Sequence, residues 1–277
     1  MAGAPEMHPW QDLHIYYIEG RLPDGACEAA PSCIGNWVEE GYSFLFFSRP
    51  ARETVARILA DQPGLTLLDS YRMPSEDWLG ERFQAFSAGR FRIAPPWDPE
   101  AEDRSPDRIL LDPGVVFGTG THPTTRDCLE LIEGVCAEVP IPVALDVGTG
   151  TGLLALAAAR AGCGRVLAFD LNLLAVRTTR RNILLNGLED RVLAFQGNAC
   201  ELSDLAADLM IANIHYEVMV RLLGSGALGN KRWVILSGLL RSQSAEVRRL
   251  LSQGPVEILE HREYDGVWHT YLGRVRR

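Results

Sequence analysis

A glycine-rich run between a predicted strand and a predicted helix is the first place where ligand chemistry is expected. Residues 145–152 read Leu-Asp-Val-Gly-Thr-Gly-Thr-Gly. The glycines Gly148, Gly150 and Gly152 allow the backbone to turn sharply and to approach a ligand closely. The helix that follows presents free N–H groups and the positive end of its dipole. The run therefore predicts a nucleotide-type binding turn, with Asp146 at the strand end as part of it.

The spacing of the glycines separates several cofactor classes. The dinucleotide fingerprint G-x-G-x-x-G requires a glycine where Leu153 stands, and the glycines here follow G-x-G-x-G instead. The P-loop pattern G-x-x-x-x-G-K-[ST] is absent. The observed spacing is typical of methyltransferases, whose S-adenosylmethionine has an amino-acid tail in place of a pyrophosphate. A nicotinamide dehydrogenase is therefore disfavoured.

Two polar residues follow the next predicted strands. Asp170 can accept hydrogen bonds from both ribose hydroxyls, and charged bonds of this kind contribute roughly 1.5–3 kcal/mol each. Nicotinamide enzymes use the same device, so Asp170 alone does not distinguish the cofactors. The alternative for Asp170 is a solvated loop carboxylate. Asn198 can meet an adenine amino group or can simply be a turn asparagine.

Asn213 ends the fourth predicted strand of the core. The carboxyl ends of parallel strands form the ligand crevice of such sheets. The amide oxygen of Asn213 can hold an incoming amine beside the transferred methyl group, so Asn213 is the candidate catalytic residue as well as a cofactor contact. The alternative is a structural cap on a buried strand. Glu217, close behind, can attract a cationic substrate or can be solvated.

The segment 111–126 is the most distinctive in the chain, because glycines, small hydroxyls and one aromatic residue precede a helix predicted from about Thr124. Such a loop can fold over a bound ligand. Phe117 would cover an apolar part of the ligand, and Thr119 or Thr125 would donate hydrogen bonds. His122 is interpreted as a residue that holds local structure, with a catalytic base as the alternative.

The elements that would position these residues change character near residue 110. From there, apolar strands alternate with helices, which is the signature of a parallel α/β sheet. An antiparallel hairpin around Asp265-Gly266 is predicted to complete the sheet. The predicted strands are 143–146, 166–170, 192–196, 207–213, 233–237, 256–264 and 267–275, and the predicted helices are 153–161 and 173–186.

A smaller α+β domain is predicted before this core, over residues 1–94. A loose tail over 1–9 precedes it, and a Pro-, Asp- and Glu-rich linker over 95–109 separates it from the cofactor domain at 110–277. Its predicted strands are 14–18, 37–38, 43–47, 65–71 and 90–94, and its predicted helices are 51–59 and 74–86, the second with Ser75 as N-cap.

The amino-acid composition indicates which classes of protein this chain can belong to. The 277 residues are 47% hydrophobic and 23% charged, which is ordinary for a globular chain and excludes a disordered one. The net charge of −9 disfavours direct binding to nucleic acid and suits a basic protein partner, although acidity also serves solubility. No signal segment or membrane span is predicted, and the six cysteines form no Cys-x-x-Cys or zinc pattern. We therefore expect a reduced, cytoplasmic protein.

The loop and the glycine turn together resemble the ribosomal protein L11 methyltransferase family. The hallmark of that family, Phe-Gly-Thr-Gly-x-His-x-Thr-Thr, stands without a mismatch at 117–125, and the resemblance covers roughly 75–277. It implies a class I methyltransferase fold with a seven-stranded, Rossmann-like sheet, and methyl transfer to amines of a protein. The cofactor positions of the family map to Thr125, Gly148, Asp170 and Asn213. The pair Asn-Ile of the family is present at 213–214.

Two departures from the family concern the substrate. In the family, a small N-terminal domain grips the ribosomal protein, but here the helix expected after its first strand is missing and 23–34 is predicted to be a loop. Residues 215–217, His-Tyr-Glu, are also bulkier than usual after Asn-Ile. Three functions remain open: methylation of a large-subunit ribosomal protein, methylation of another protein or a small amine, and non-catalytic sensing of S-adenosylmethionine.

Overall fold

The chain divides into two compact units in a computed structural model, which describes residues 11–74, 77–78, 83–99 and 105–276. The first unit is Met1–Gln84 with Trp97–Pro99 and Asn172–Leu174, and the rest of the chain forms the second unit. The division after Gln84 comes ten residues before the boundary expected at residue 94. The tail predicted over 1–9 lies outside the described residues.

The first unit is built on a four-stranded antiparallel sheet. Its strands are β1 (Asp12–Glu19), β2 (Cys33–Glu39), β3 (Tyr42–Phe47) and β4 (Thr66–Pro74), in the order β2-β3-β1-β4, and its helix is α1 (Arg52–Ala60). The turn between β2 and β3 places Glu40 and Gly41 at positive φ, as a tight hairpin requires. Tyr16, Leu45, Phe47 and Val55 are buried between sheet and helix. The predicted α+β character of this region is confirmed.

The segment between β1 and β2 contains turns and no helix, as the sequence predicts. It is closed by a disulfide between Cys27 and Cys33, whose Cα atoms are 5.7 Å apart. The expectation of reduced cysteines throughout is therefore wrong for this pair. The sequence alone does not predict this disulfide, because two cysteines six residues apart meet only when the intervening chain turns back on itself. The other four, Cys128, Cys136, Cys163 and Cys200, are free.

The second unit opens with a small three-stranded sheet of β5 (Phe86–Ala88), β6 (Phe91–Ala94) and β7 (Arg108–Leu110). The helix predicted over 74–86 is wrong at both ends, because Pro74 ends β4 and Phe86 begins β5. Residues 77–78 are helical, and Ser75, the predicted N-cap, lies outside the described residues. The predicted linker also contains structure, since β7 pairs in parallel with β6.

The large sheet of the second unit has seven strands. They are β8 (Val143–Val147), β9 (Arg165–Asp170), β10 (Val192–Gln196), β11 (Leu209–Asn213), β12 (Trp233–Leu240), β13 (Val256–Tyr264) and β14 (Trp268–Val275). Their order is β10-β9-β8-β11-β12-β14-β13. The first five are parallel, and β14 is antiparallel to both neighbours. The predicted parallel sheet with a closing hairpin is confirmed, including Asp265 and Gly266 at positive φ.

Among the residues that the structure describes, five helices accompany the strands of this sheet. They are α2 (Pro123–Glu138), α3 (Leu153–Arg160), α4 (Leu173–Asn186), α5 (Tyr216–Gly224) and α6 (Arg241–Gln253). Residues 153–159 of α3 are all buried, which explains its composition of Leu and Ala alone there. Within the described part of the chain, no helix is long and apolar enough to cross a membrane.

Candidate active site

The glycine turn forms a tight connection between β8 and α3. The N–H groups of Gly148 and Thr149 both donate to the carbonyl of Phe169, at 2.9 and 3.1 Å. All three glycines of the turn have positive φ. A Cβ atom at Gly148 would collide with the side chain of Ile214, and one at Gly150 with the carbonyl oxygen of Phe117. The sequence therefore needs glycine at both positions for the turn to close.

Asp146 is buried beneath this turn, with 1% of its surface exposed. Its Oδ2 accepts hydrogen bonds from Thr149 Oγ1 at 2.6 Å and from Ala155 N at 3.1 Å. Burial raises the pKa of Asp146 to about 6, against the lowering effect of these two donors. The carboxylate thus ties the turn to the first turn of α3. A direct cofactor contact by Asp146, as the sequence predicts, remains a prediction.

Asp170 lies at the end of β9, beside the glycine turn. Its Oδ2 accepts a hydrogen bond from Gly150 N at 3.1 Å, so the carboxylate and the turn are held together. The carbonyl of Asp170 accepts from Gly197 N at 2.9 Å. The side chain is half-buried, which leaves a negatively charged acceptor at the mouth of the turn. This placement is the one that the sequence predicts for a ribose-binding carboxylate.

The loop before α2 is fixed to the same turn. Thr151 N donates to the carbonyl of Phe117 at 3.1 Å, and Thr151 Oγ1 donates to the carbonyl of Gly118 at 2.6 Å. Phe117 keeps 73% of its surface exposed. The hydroxyl of Thr119 lies 3.0 Å from that of Thr121. The structure therefore brings the predicted covering loop and the predicted cofactor turn together.

Helix α4 supplies contacts that sequence reasoning missed. Asn182 is fully buried, and its side chain bonds to both backbone groups of Asp112 and to the carbonyl of Thr151, at 2.8–2.9 Å. One turn later, Asn186 bonds to both backbone groups of Leu110 at 2.7 and 3.0 Å. Thr179 Oγ1 donates to the carbonyl of Gly150 at 3.0 Å. The available signal was the spacing of polar residues at 179, 182 and 186, on one face of an otherwise ordinary helix.

Asn213 ends β11 at the same edge of the sheet. Its Nδ2 donates to Thr125 Oγ1 at 3.3 Å and to Thr124 Oγ1 at 3.4 Å. Both threonines are buried in the first turn of α2. The structure thus joins two residues that the sequence singled out separately, Asn213 and Thr125, and adds Thr124, which it did not.

Gly238 in β12 closes the opposite side of the Asn213 amide. It has a φ of 83°, and a Cβ atom there would lie 2.8 Å from Asn213 Oδ1 and 3.2 Å from the carbonyl oxygen of Ile214. Two acceptor oxygens therefore converge beside a residue that has no side chain. Sequence reasoning missed Gly238, since its strand is apolar and its glycine resembles an ordinary bulge.

Three other candidate residues are placed more simply. The side chain of Asn198 accepts from Cys200 N at 3.0 Å and donates to Glu201 at 3.1 Å, as a turn asparagine does. Glu217 is exposed in the first turn of α5. His122 is the N-cap of α2 and accepts from Thr124 N at 3.4 Å, which agrees with the structural role predicted for it. Among the described residues, no cluster of side chains suits a metal ion.

The polar and apolar groups at this edge of the sheet fit the chemical groups of S-adenosylmethionine. A carboxylate, Asp170, and an amide, Asn213, lie at the ends of β9 and β11, on either side of the glycine turn that follows β8. The N–H groups of Gly148 to Gly152 donate within the protein, so the free N–H groups expected from the sequence are not found in the turn itself. Phe117 supplies an exposed apolar surface. An ordinary nucleotide would need phosphate contacts, and no lysine is present in the turn or the loop.

Comparison with known proteins gives the same assignment. Residues 50–275 match the model of the ribosomal protein L11 methyltransferase family, PrmA. The chain is 35% identical to the ribosomal protein L11 methyltransferase of Desulforamulus reducens, over 73% of this chain and 66% of that one. It is 38% identical to the enzyme of the same name from Pelobacter propionicus, over 79% of this chain and 74% of that one.

A solved structure extends the comparison to the fold. The ribosomal protein L11 methylase of Lactobacillus delbrueckii subsp. bulgaricus superposes with a TM-score of 0.60 and 27% identity, over 70% of this chain and all of that one. The predicted class I methyltransferase fold is thereby confirmed. The predicted resemblance is confirmed as well, and the chain belongs to the ribosomal protein L11 methyltransferase family.

Proposed function

We propose that this protein uses S-adenosylmethionine to methylate amines of a protein, and that the substrate is a basic large-subunit ribosomal protein, L11. The amine is a lysine side chain or an amino terminus. The observation that carries the proposal is the position of Asn213, whose amide lies at the strand edge beside the cofactor turn with its oxygen and the Ile214 carbonyl directed to one point. Family membership supports the same activity.

The bound cofactor supplies an activated methyl group on a sulfonium. With the cofactor bound, methyl transfer would form a bond from the nitrogen of the neutral amine to the methyl carbon and would break the carbon–sulfur bond, whose electron pair would stay on sulfur. The methylated nitrogen then releases its proton to solvent. Asn213 Oδ1 and the Ile214 carbonyl accept hydrogen bonds from the amine and align its lone pair. Alignment of this kind contributes roughly 7–11 kcal/mol.

Deprotonation of the amine needs no strong base in this proposal. Removing a lysine side chain from water lowers its pKa, because burial disfavours the charged form. The protein therefore has two tasks, which are to desolvate the amine and to hold it. We assign Thr119, Thr125, Asp146, Gly148 and Asp170 to binding of the cofactor.

We place the reaction in the cytoplasm, because ribosomal proteins are found there, and we propose that neither a membrane nor a nucleic acid takes part.

A different acceptor is the second candidate, and a specific observation favours it. The family match begins at residue 50, so the loop 20–32 and the first three strands lie outside it. The Cys27–Cys33 disulfide joins that loop to the start of β2, within the stretch 23–34 where the sequence predicts a departure from the family. Another protein or a small amine is then the substrate, with the same cofactor and the same Asn213. A non-catalytic sensor is less well supported, because it would not need the paired acceptor oxygens.

The test is transfer of labelled methyl groups from S-adenosylmethionine to purified L11, beside a whole-cell extract of proteins and small molecules. Label on L11 supports the inherited substrate. Label only on another band, or in the small-molecule fraction, keeps the enzyme and replaces the substrate. Binding of the cofactor without any transfer contradicts the proposed enzyme and favours a sensor.

Replacement of Asn213 tests its role within the reaction. In Asn213→Ala, the acceptor for the amine is lost while the contacts of the glycine turn remain. We expect turnover to fall by about 100-fold or more and cofactor affinity to fall much less. Turnover is measured at saturating cofactor, and affinity by calorimetry. An equal loss of both quantities contradicts a positioning role.

A further inference from the structure

The orientation of the Asn213 amide is set by its neighbours, because an asparagine offers either its oxygen or its NH2 group in the same place. Only one orientation serves an amine substrate, since the substrate donates hydrogen bonds and needs the oxygen. Asn213 Nδ2 faces the hydroxyls of Thr124 and Thr125, at 3.4 and 3.3 Å. Asn213 Oδ1 faces Gly238 and the Ile214 carbonyl.

His122 determines which way the hydrogen of the Thr124 hydroxyl points. The backbone N–H of Thr124 donates to His122 Nδ1, which is therefore the unprotonated nitrogen of the ring. The hydroxyl Oγ1 of Thr124 lies 2.7 Å from the same nitrogen, so it must donate its only hydrogen there. What Thr124 Oγ1 then presents to Asn213 is a lone pair, and a lone pair accepts only from the NH2 group.

The His122 ring is held in place by the surrounding chain. It packs edge-on against Trp268 with ring centroids 4.5 Å apart, and its backbone carbonyl accepts the N–H groups of Thr125 and Arg126 in the first turn of α2. Partial burial lowers the pKa of His122, which favours the neutral ring. The neutral ring is the state in which Nδ1 is an acceptor.

The oxygen side of the amide is bordered by Gly238, which contributes no side chain there. Among the described residues, Asn213 Oδ1 accepts no hydrogen bond, whereas Nδ2 makes two. We infer that His122 and Thr124 are positioning residues, which act through their hydrogen bonds to orient the Asn213 amide so that its oxygen receives the methyl-accepting amine. This inference rests on the proposed function.

Thr124 offers a matched pair of substitutions. Thr124→Val keeps the shape of the buried side chain and removes the hydroxyl, whereas Thr124→Ser keeps the hydroxyl and removes the methyl group. We expect Thr124→Val to lower kcat by about tenfold or more, with KM for S-adenosylmethionine within about twofold of the original value. Thr124→Ser should recover most of the rate. The reverse order, or equal rates in both variants, would show a packing role and overturn the inference.

His122 gives a second pair, and NMR gives a readout that needs no activity. His122→Asn retains an acceptor at the N-cap, and His122→Ala removes it. The side-chain NH2 signals of Asn213 are assigned by their loss in Asn213→Asp. These signals should shift and exchange faster in Thr124→Val and His122→Ala, and stay near their original positions in Thr124→Ser and His122→Asn.

The NMR result separates the inference from the proposed function. If the unmodified protein transfers no methyl group to any acceptor, the proposed function fails, and the Asn213 signals still report on the orientation of the amide. Changes confined to Thr124→Val and His122→Ala support the relay in that case. Signals that are the same in all four variants overturn it.

Discussion

At the scale of single residues, the charge of Asp170 is the feature most open to test. Asp170→Asn keeps the shape of the side chain but replaces one acceptor by a donor. Since a hydrogen bond to a charged group contributes about 1.5–3 kcal/mol, we expect the Kd for S-adenosylmethionine to rise by roughly 10- to 100-fold. Calorimetry measures the affinity, and Asp190→Asn, at an exposed loop aspartate, is the control. Equal affinities in both variants would mean that Asp170 does not bind the ribose.

Asp146 predicts a pH dependence of stability. Its pKa is about 6 in the folded protein and near 4 in the unfolded chain, so the folded state binds more protons between these values. The contribution of Asp146 to stability is therefore largest near pH 4 and is lost as the pH rises through 6. The stability of Asp146→Asn relative to the unchanged protein should thus increase from pH 4 to pH 7.

Urea unfolding at several pH values measures this difference. Asp190→Asn again serves as the control, because an exposed carboxylate should give a difference that is nearly independent of pH above 5. A flat profile for Asp146→Asn between pH 4 and 7 would contradict an elevated pKa for Asp146.

Residue types and spacing predicted much of the site at this scale. Gly148, Asp170, Asn213 and the covering loop were identified because strand ends and glycine turns are local features. Gly238 was not identified, since its importance depends on the register of β12 against β11. Register is a property of the folded sheet. A single sequence indicates it only indirectly, through the pattern of its apolar residues.

At the scale of elements, α4 acts as a clamp on the cofactor turn and the covering loop. Asn182→Ala would leave the backbone groups of Asp112 and the carbonyl of Thr151 buried without their partner. Each such group costs about 1–3 kcal/mol, so we expect a loss of about 3 kcal/mol or more in the free energy of unfolding. Leu184→Ala, at a residue 64% exposed on the same helix, is the control.

Urea unfolding followed by circular dichroism compares the two α4 variants, and the affinity for S-adenosylmethionine gives a second readout. Loosening of the loop should weaken binding in Asn182→Ala and leave it unchanged in Leu184→Ala. If Asn182→Ala is no more destabilising than its control, the three hydrogen bonds do not hold the loop.

The element predictions failed where tertiary pairing overrides a local pattern. The stretch 74–86 has the composition of a helix, with Pro74 at its start, but Pro74 pairs with Asp12 at the end of β4 and Phe86 pairs with Ile93 in β5. Asp12 is far from Pro74 in sequence, so no local pattern indicates that pairing. The core strands were predicted more accurately, because their apolar runs are buried on both faces and are bounded by turns.

At the scale of the whole molecule, the net charge of −9 predicts that binding of the proposed basic substrate depends on salt. A basic ribosomal protein would be attracted over a distance that shrinks from about 10 Å at 0.1 M salt to about 3 Å at 1 M. We expect KM for L11 to rise severalfold between 50 and 500 mM salt, with little change in kcat at saturation. A KM that is independent of salt would exclude an electrostatic contribution to docking.

The predicted domain boundaries rest on changes in composition along the chain. A change in the sequence pattern near residue 110 predicts the start of the cofactor domain. In the structure, β5, β6 and β7 belong to the same unit as the large sheet, although they precede that point or border it. Proline and acidic residues suggested a linker over 95–109. The parallel pairing of β6 with β7 spans this stretch, and no local signal announces a pairing of that kind.

The position of β14 has a consequence for synthesis on the ribosome. This strand is the last in chain order, yet it lies between β12 and β13 and is hydrogen-bonded to both. Until β14 has been synthesised, β12 and β13 are not connected through it, and the edges that pair with β14 are exposed. The sheet that carries the Asn213 edge is therefore completed only after residue 275 has left the exit tunnel.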